Sequence, residues 1–193
     1  MARLPCAVSS YRGQTHLPNG LRDMDFDPCV FPEFTHVKCL QLVSTTALTE
    51  KAVLQLTNLQ SLDMERCTQV TITNEAFRHL SNLQFLPIAQ CDQITITDNA
   101  FYHLTNLSSL NMKACEQYKV TDKAFHHLTK LRSLNVDGCD QNTITNGAFL
   151  HLTNLHFLNM TKCKQSTITD EAFRPLRNLQ IRDMQYCSQE TIR

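Results

Sequence analysis

Residues 56–79 read LTNLQSLDMERCTQVTITNEAFRH, and at Leu80 the same text begins again. One cysteine marks each copy: Cys67, Cys91, Cys115, Cys139, Cys163 and Cys187 follow one another at intervals of 24 residues. A fixed period of this length means stacked supersecondary units, each burying its apolar face only against its neighbours.

Within one copy, Leu59, Leu62 and Met64 are the apolar positions of a short strand, and the last two show the alternation that strands require. Ala76, Phe77 and Leu80 recur at i, i+1 and i+4, which makes one face of a short helix. Thr73 or Asn74, with Asp98, Asp122, Asn146 and Asp170 in later copies, is placed to cap that helix. Asn58, Asn82, Asn106, Asn154 and Asn178 fall just after it, where left-handed backbone is expected. Stacking predicts an α/β solenoid whose parallel sheet of some seven strands, about 4.8 Å apart, is about 30 Å long. Helix and strand alternating within every unit force the stack to curve.

Outward from the best copy the period weakens. The five 24-residue copies begin at Leu56, Leu80, Leu104, Leu128 and Leu152, and a partial one occupies 176–193. Upstream, residues 35–42 align with 57–64, so Phe34 to Gln55 make a whole repeat two residues short. Phe26, Val30, Phe31 and Phe34 then read as a half-repeat over 26–33 that closes the end of the stack. The domain is thus 26–193, with about six whole repeats over 34–175. Residues 1–25 hold Pro5, Gly13, Pro18 and Gly20 and read as an N-terminal tail or irregular cap.

Leu155 to Cys163 and Ile168 to Leu176 spell Leu-x-x-Leu-x-Met-x-x-Cys and Ile-Thr-Asp-x-Ala-Phe-x-x-Leu. This pattern resembles the leucine-rich repeat family, specifically its cysteine-containing subclass familiar from F-box proteins. Near-identity between copies is also similar to repeat proteins of amoebae and their giant DNA viruses. The resemblance implies a horseshoe with a concave parallel sheet and a convex row of short helices.

Eighteen basic and eighteen acidic residues cancel, with no run of like charge, so nucleic acid and anionic membrane are poor partners. No secretory leader and no run of eighteen apolar residues is visible. Nine cysteines, an odd number with six in register, suit buried free thiols in a reducing, cytoplasmic setting (host cytoplasm if viral) better than disulfides. The acceptor patterns at Asn106 and Asn159 arise from the repeat text itself.

The conserved ladders invite chemical readings. The cysteines lack C-x-x-C pairs, so they are expected to hold no metal, and the resemblance implies that they pack inward under the turn. His79, His103, His127 and His151 are expected on the convex surface, where a zinc or pH role would need carboxylates in register that the sequence lacks. Gln69, Gln93, Gln117, Gln141, Gln165 and Gln189, with the threonines flanking Ile72, are expected to satisfy backbone groups at the bends. No phosphate loop is present among only four glycines. A catalytic residue should differ from its copies, and none stands out, so neither enzyme activity nor a cofactor is expected.

Positions that change between near-identical copies are the ones free for recognition. On the concave side these include Ser61, Glu65 and Arg66, then Phe85, Ala89 and Gln90, Lys113, Asp137, Phe157 and Lys162, and finally Ile181, Gln185 and Tyr186. Phe85, Phe157, Ile181 and Tyr186 are apolar or aromatic where water is expected and could anchor a partner. Two residues break the pattern. Pro87 should break or bulge its strand, and Arg182 stands where Leu62 and its equivalents fill the core. Arg182, together with an expected lack of a C-terminal cap, leaves Met184, Cys187 and Ile192 poorly covered, an end for self-association or partner contact. The expected function is a non-enzymatic scaffold for an unidentified protein partner. The alternatives are the substrate receptor of an F-box ubiquitin ligase, although 1–25 is too short to supply the F-box, and a structural component of a large, possibly viral, assembly.

Overall fold

A computed structural model describes residues 15–16, 37–41, 53–54, 56–67, 72–91, 95–115, 119–139, 142–164 and 166–187. Eight strands form one parallel sheet in chain order: β1 (Thr15–His16), β2 (Cys39–Gln41), β3 (Ser61–Asp63), β4 (Phe85–Pro87), β5 (Ser109–Asn111), β6 (Ser133–Asn135), β7 (Phe157–Asn159) and β8 (Ile181–Asp183). Strands β2 to β8 are the seven expected. Thr15–His16, inside the segment read as a tail or irregular cap, adds another by pairing with Leu40 and Gln41. The two-residue deletion in the first whole repeat lies after its strand, since Cys39 pairs with Ser61 and Leu40 with Leu62. The half-repeat 26–33 lies outside the described residues.

The core is one column of similar layers. In a single copy Leu59, Leu62, Met64, Cys67, Ile72, Ala76, Phe77 and Leu80 are all essentially solvent-free. The rings of Phe77, Phe101, Phe125 and Phe149 stack behind the sheet as the largest buried side chains. Each is worth roughly 1.5–3 kcal/mol relative to exposure.

On the convex side each copy has a single helical turn. Asn74–Phe77 and Asp98–Phe101 are α-helical, whereas Asp122–Phe125, Asn146–Phe149 and Asp170–Phe173 are 3₁₀ turns. Four residues cannot sustain a helix by propensity. What holds them is burial of Ala76 and Phe77 and a succession of i→i+3 bonds, such as Ala76 N–H to the Thr73 carbonyl (3.1 Å) and Leu80 N–H to the Phe77 carbonyl (3.1 Å).

The cap is the threonine. Thr73, Thr97, Thr121 and Thr145 each accept the N–H two residues on. The neighbouring Asn or Asp instead reaches into the next copy. Asp98 accepts both the N–H and the hydroxyl of Thr121, each at 2.7 Å. Asn74 accepts the N–H of Thr97 at 2.9 Å and donates to its hydroxyl oxygen at 2.8 Å. This ladder ties each cap to the previous one.

The asparagines after the helix are not left-handed. They face the preceding copy, where Asn82 donates to the Thr57 carbonyl (3.0 Å), Asn106 to that of Ser81 (2.8 Å) and Asn154 to that of Thr129 (2.8 Å). Left-handed backbone occurs instead just before each cysteine, at Arg66, Gln90, Ala114, Gly138, Lys162 and Tyr186, with φ between 51° and 68°. The chain must reverse sharply there to bring the cysteine inward.

Pro87 breaks the ladder on one side only, and β4 is not bulged. Having no N–H to donate, it leaves β3 and β4 with the single pair Ser61↔Phe85, while β4 and β5 keep three. The ladder resumes one residue on, where Met64 donates to the Pro87 carbonyl at 2.8 Å. Arg182 leaves β8 intact, paired in register with Leu158. Its side chain runs out to solvent and lays the guanidinium 4.8 Å from the ring centre of Phe173, covering part of the apolar layer that a leucine would have filled.

Candidate functional site

Repetition makes each strand position a row across the sheet. The first strand position runs Cys39, Ser61, Phe85, Ser109, Ser133, Phe157, Ile181, paired in register from rung to rung. Phe85 is 48% exposed and Ile181 56%. Phe157, half-buried, lies between Ser133 and Ile181. The structure therefore joins Phe157 and Ile181 into one apolar patch. Phe85 stands apart beyond two serines, three rungs or about 14 Å from Phe157.

The residues expected beside this row at 65 and 66 lie elsewhere, in the turn after the strand. Between them runs the third strand position, where Asp63, Asn111, Asn135, Asn159 and Asp183 each accept the N–H two residues on and so initiate the turn. Glu65 accepts from Asn111 at 3.0 Å, and Arg66 donates to Gln90 at 2.9 Å. Lys162, Gln185 and Tyr186 are exposed there, Tyr186 at 80%.

Asp137 and Ala89 are nearly buried. Asp137 is 7% exposed and Ala89 6%. Asp137 holds Lys113 at 2.8 Å, and this bond raises the Lys113 ammonium above its ordinary range. The turn is tight enough that residues there can sink into it, which variation between copies does not reveal.

A feature missed in the sequence lies at the opposite edge, where the strands begin. An open groove of about 920 Å³ crosses the copies from Gln60 to Asn154. Its walls carry the amides of Gln84 and Asn106, the hydroxyls of Ser109 and Ser133, the ring of Phe85, and the cations Lys130 and Arg132. The signal was available: Gln60, Gln84, Ser108, Arg132, His156 and Gln180 also vary between copies, and Lys130 replaces an asparagine of its row. They precede the strand proper, where period-two reasoning does not look.

The cysteine ladder is structural. Cys67, Cys91, Cys115, Cys139 and Cys163 are buried thiols that form no disulfide. The thiol of Cys115 donates to the Ile88 carbonyl (2.8 Å), Cys139 to that of Met112 (2.9 Å) and Cys163 to that of Val136 (3.1 Å). Burial pushes Cys139 far above the usual thiol range and raises Cys187 as well. The four histidines are exposed on the convex side as expected. They form no regular column: Tyr102 packs edge-on against His103 and His127, and His126 against His151. The glutamine ladder lies outside the described residues, while Thr95, Thr143 and Thr167 donate to carbonyls of the preceding copy as expected. Among the described residues no group of three or more His, Cys, Asp or Glu is placed to hold a metal ion, and no helix is long and apolar enough to cross a membrane.

Parallel rungs, buried Leu-Leu-Met-Cys layers and single helical turns agree with a family model for BspA-type leucine-rich repeat regions, which matches residues 16–116 and 46–180 with six copies. The chain belongs to this leucine-rich repeat family. No curated protein matches it. Among solved structures, this leucine-rich repeat chain is similar to a TLR13–ssRNA13 complex (20% identity, TM-score 0.70, 92% of this chain and 30% of that one). It is also similar to internalin C2 of Listeria monocytogenes (25%, TM-score 0.61, 82% and 66%) and to an internalin, inlF, of the same species (17%, TM-score 0.54, 82% and 50%). The chain spans less than two thirds of the length of each.

Proposed function

We propose that this leucine-rich repeat protein is a non-enzymatic scaffold that binds a protein partner on its concave sheet. The observation that carries the reading is the row at the first strand position. Seven side chains in register vary from serine to phenylalanine and isoleucine over a core that hardly changes. Rigid aromatic anchors between small polar residues are what a protein interface uses. The buried thiols support a reducing, intracellular setting.

A photo-crosslinking amino acid at Ser109 in native cells should capture a partner, whereas one at Lys123 on the convex side should not. In addition, Phe85→Ser with Phe157→Ser should reduce that capture at least about tenfold with the circular dichroism unchanged. Capture mainly from Lys123, or full capture by the double variant, overturns the reading. The ligase-receptor reading would use the same face, and the assembly-component reading the C-terminal end. Stoichiometric recovery of a ligase adaptor, or of a particle, is the outcome that would select either.

A further inference from the structure

We infer that the groove at the strand-start edge receives an extended acidic peptide segment, with an apolar side chain placed against Phe85 about three residues from a pair of carboxylates. This deepens the concave-face reading and rests on it. The first ground is charge. The groove holds Lys130 and Arg132, and among the described residues no carboxylate lines it. Lys130 is already positioned, its ammonium bonded at 2.7 Å to the Asn106 amide oxygen, a neutral partner that leaves the charge uncompensated. Among the described residues, the acids of the concave side sit at the other edge, at Asp63, Glu65 and Asp183, with Asp137 already taken by Lys113. The row of Asp63 and Asp183 lies three residues along the strand from that of Arg132, about 10 Å. That exceeds the roughly 8 Å screening length at physiological salt, so the acids do not neutralise the groove.

Dimensions are the second ground. Gln60 to Asn154 spans four rung spacings, about 19 Å, which is the length of about six extended residues. Phe85 and the Ser133 rung beside Arg132 are two rungs apart, about 10 Å or three such residues. The side-chain amides and hydroxyls between them match the N–H and C=O groups of an extended backbone, and the Arg132 guanidinium suits a carboxylate. Single-stranded RNA is the weaker fit. Two cations give only a shallow electrostatic gain, and one exposed ring is not a series of stacking platforms.

The test is peptide display against the whole chain, repeated with Lys130→Glu and Arg132→Glu together, and a six-nucleotide single-stranded RNA in parallel. Enriched peptides should carry two or more acidic residues near an apolar one. The double reversal should weaken them at least about tenfold and shift enrichment toward basic peptides. No charge bias, no effect of the reversal, or RNA binding tighter than the best peptide would overturn the assignment. Peptides that ignore the reversal but are lost with Phe157→Ser and Ile181→Ser would place binding on the far patch, so the groove assignment fails while the concave-face reading stands. Peptides indifferent to both pairs of changes would sink both.

Discussion

Gly138 is the only glycine in a row of six left-handed residues, and a Cβ built there meets nothing nearer than the Ala114 Cα at 4.0 Å. The strain at the other five is therefore conformational rather than steric. Gly138→Ala should cost about 1 kcal/mol, a fall of about 2–4 °C in thermal midpoint. An unchanged melting curve would show that the turn tolerates side chains freely. The thiols make a pH prediction. Cys139 has a folded pKa above its unfolded value of about 9, so the native state keeps a proton that the unfolded chain loses. Its contribution is intact below pH 9 and declines above it, by up to about 1.4 kcal/mol per pH unit. The Lys113–Asp137 pair weakens in the same direction as the pH passes the raised lysine pKa, so wild type alone does not isolate the thiol. Urea unfolding at pH 8 and pH 10 should show a shallower loss for Cys139→Ala than for wild type, and parallel losses would contradict the burial argument. Thr161 offers a gain, because its buried hydroxyl has no hydrogen-bond partner among the described residues. Thr161→Val should leave stability unchanged or raise it by up to about 1 kcal/mol, read from the urea midpoint.

At the scale of the element, the helical turns show where sequence patterns reach their limit. Their apolar face was legible because Ala and Phe recur with the period. The division of labour at their start was not, because threonine and Asn or Asp are equally good caps in isolation. Only the neighbouring copy decides it: Asp98 is drawn away by the N–H and hydroxyl of Thr121. A double-mutant cycle of Asp98→Ala and Thr121→Val should therefore show coupling of about 1–2 kcal/mol. Independent effects would mean the ladder adds nothing beyond the caps. The strand at Pro87 teaches a similar lesson. A missing N–H costs pairing only toward the neighbour it would have faced, so β4 stays straight.

For the whole molecule, stability is a sum of layers and their interfaces. Excising residues 128–151, one complete copy, joins His127 to Leu152 in the same register. The shortened chain should fold with a lower urea m-value, since less surface is exposed on unfolding, and collapse to an unfolded chain would contradict the layered description. Excision also removes Lys130 and Arg132 and so should abolish acidic-peptide selection. Period, core letters, parallel stacking and inward cysteines were all determined by the sequence itself, because identical layers can bury their apolar faces in only one way. The surface was another matter. Whether a variable residue stands in the open like Phe85 or sinks like Asp137, whether its backbone is left-handed like Arg66, and that Lys130 and Arg132 share one groove were decided by the tertiary structure. Each depends on what the copies on either side leave room for, and a period describes one copy at a time.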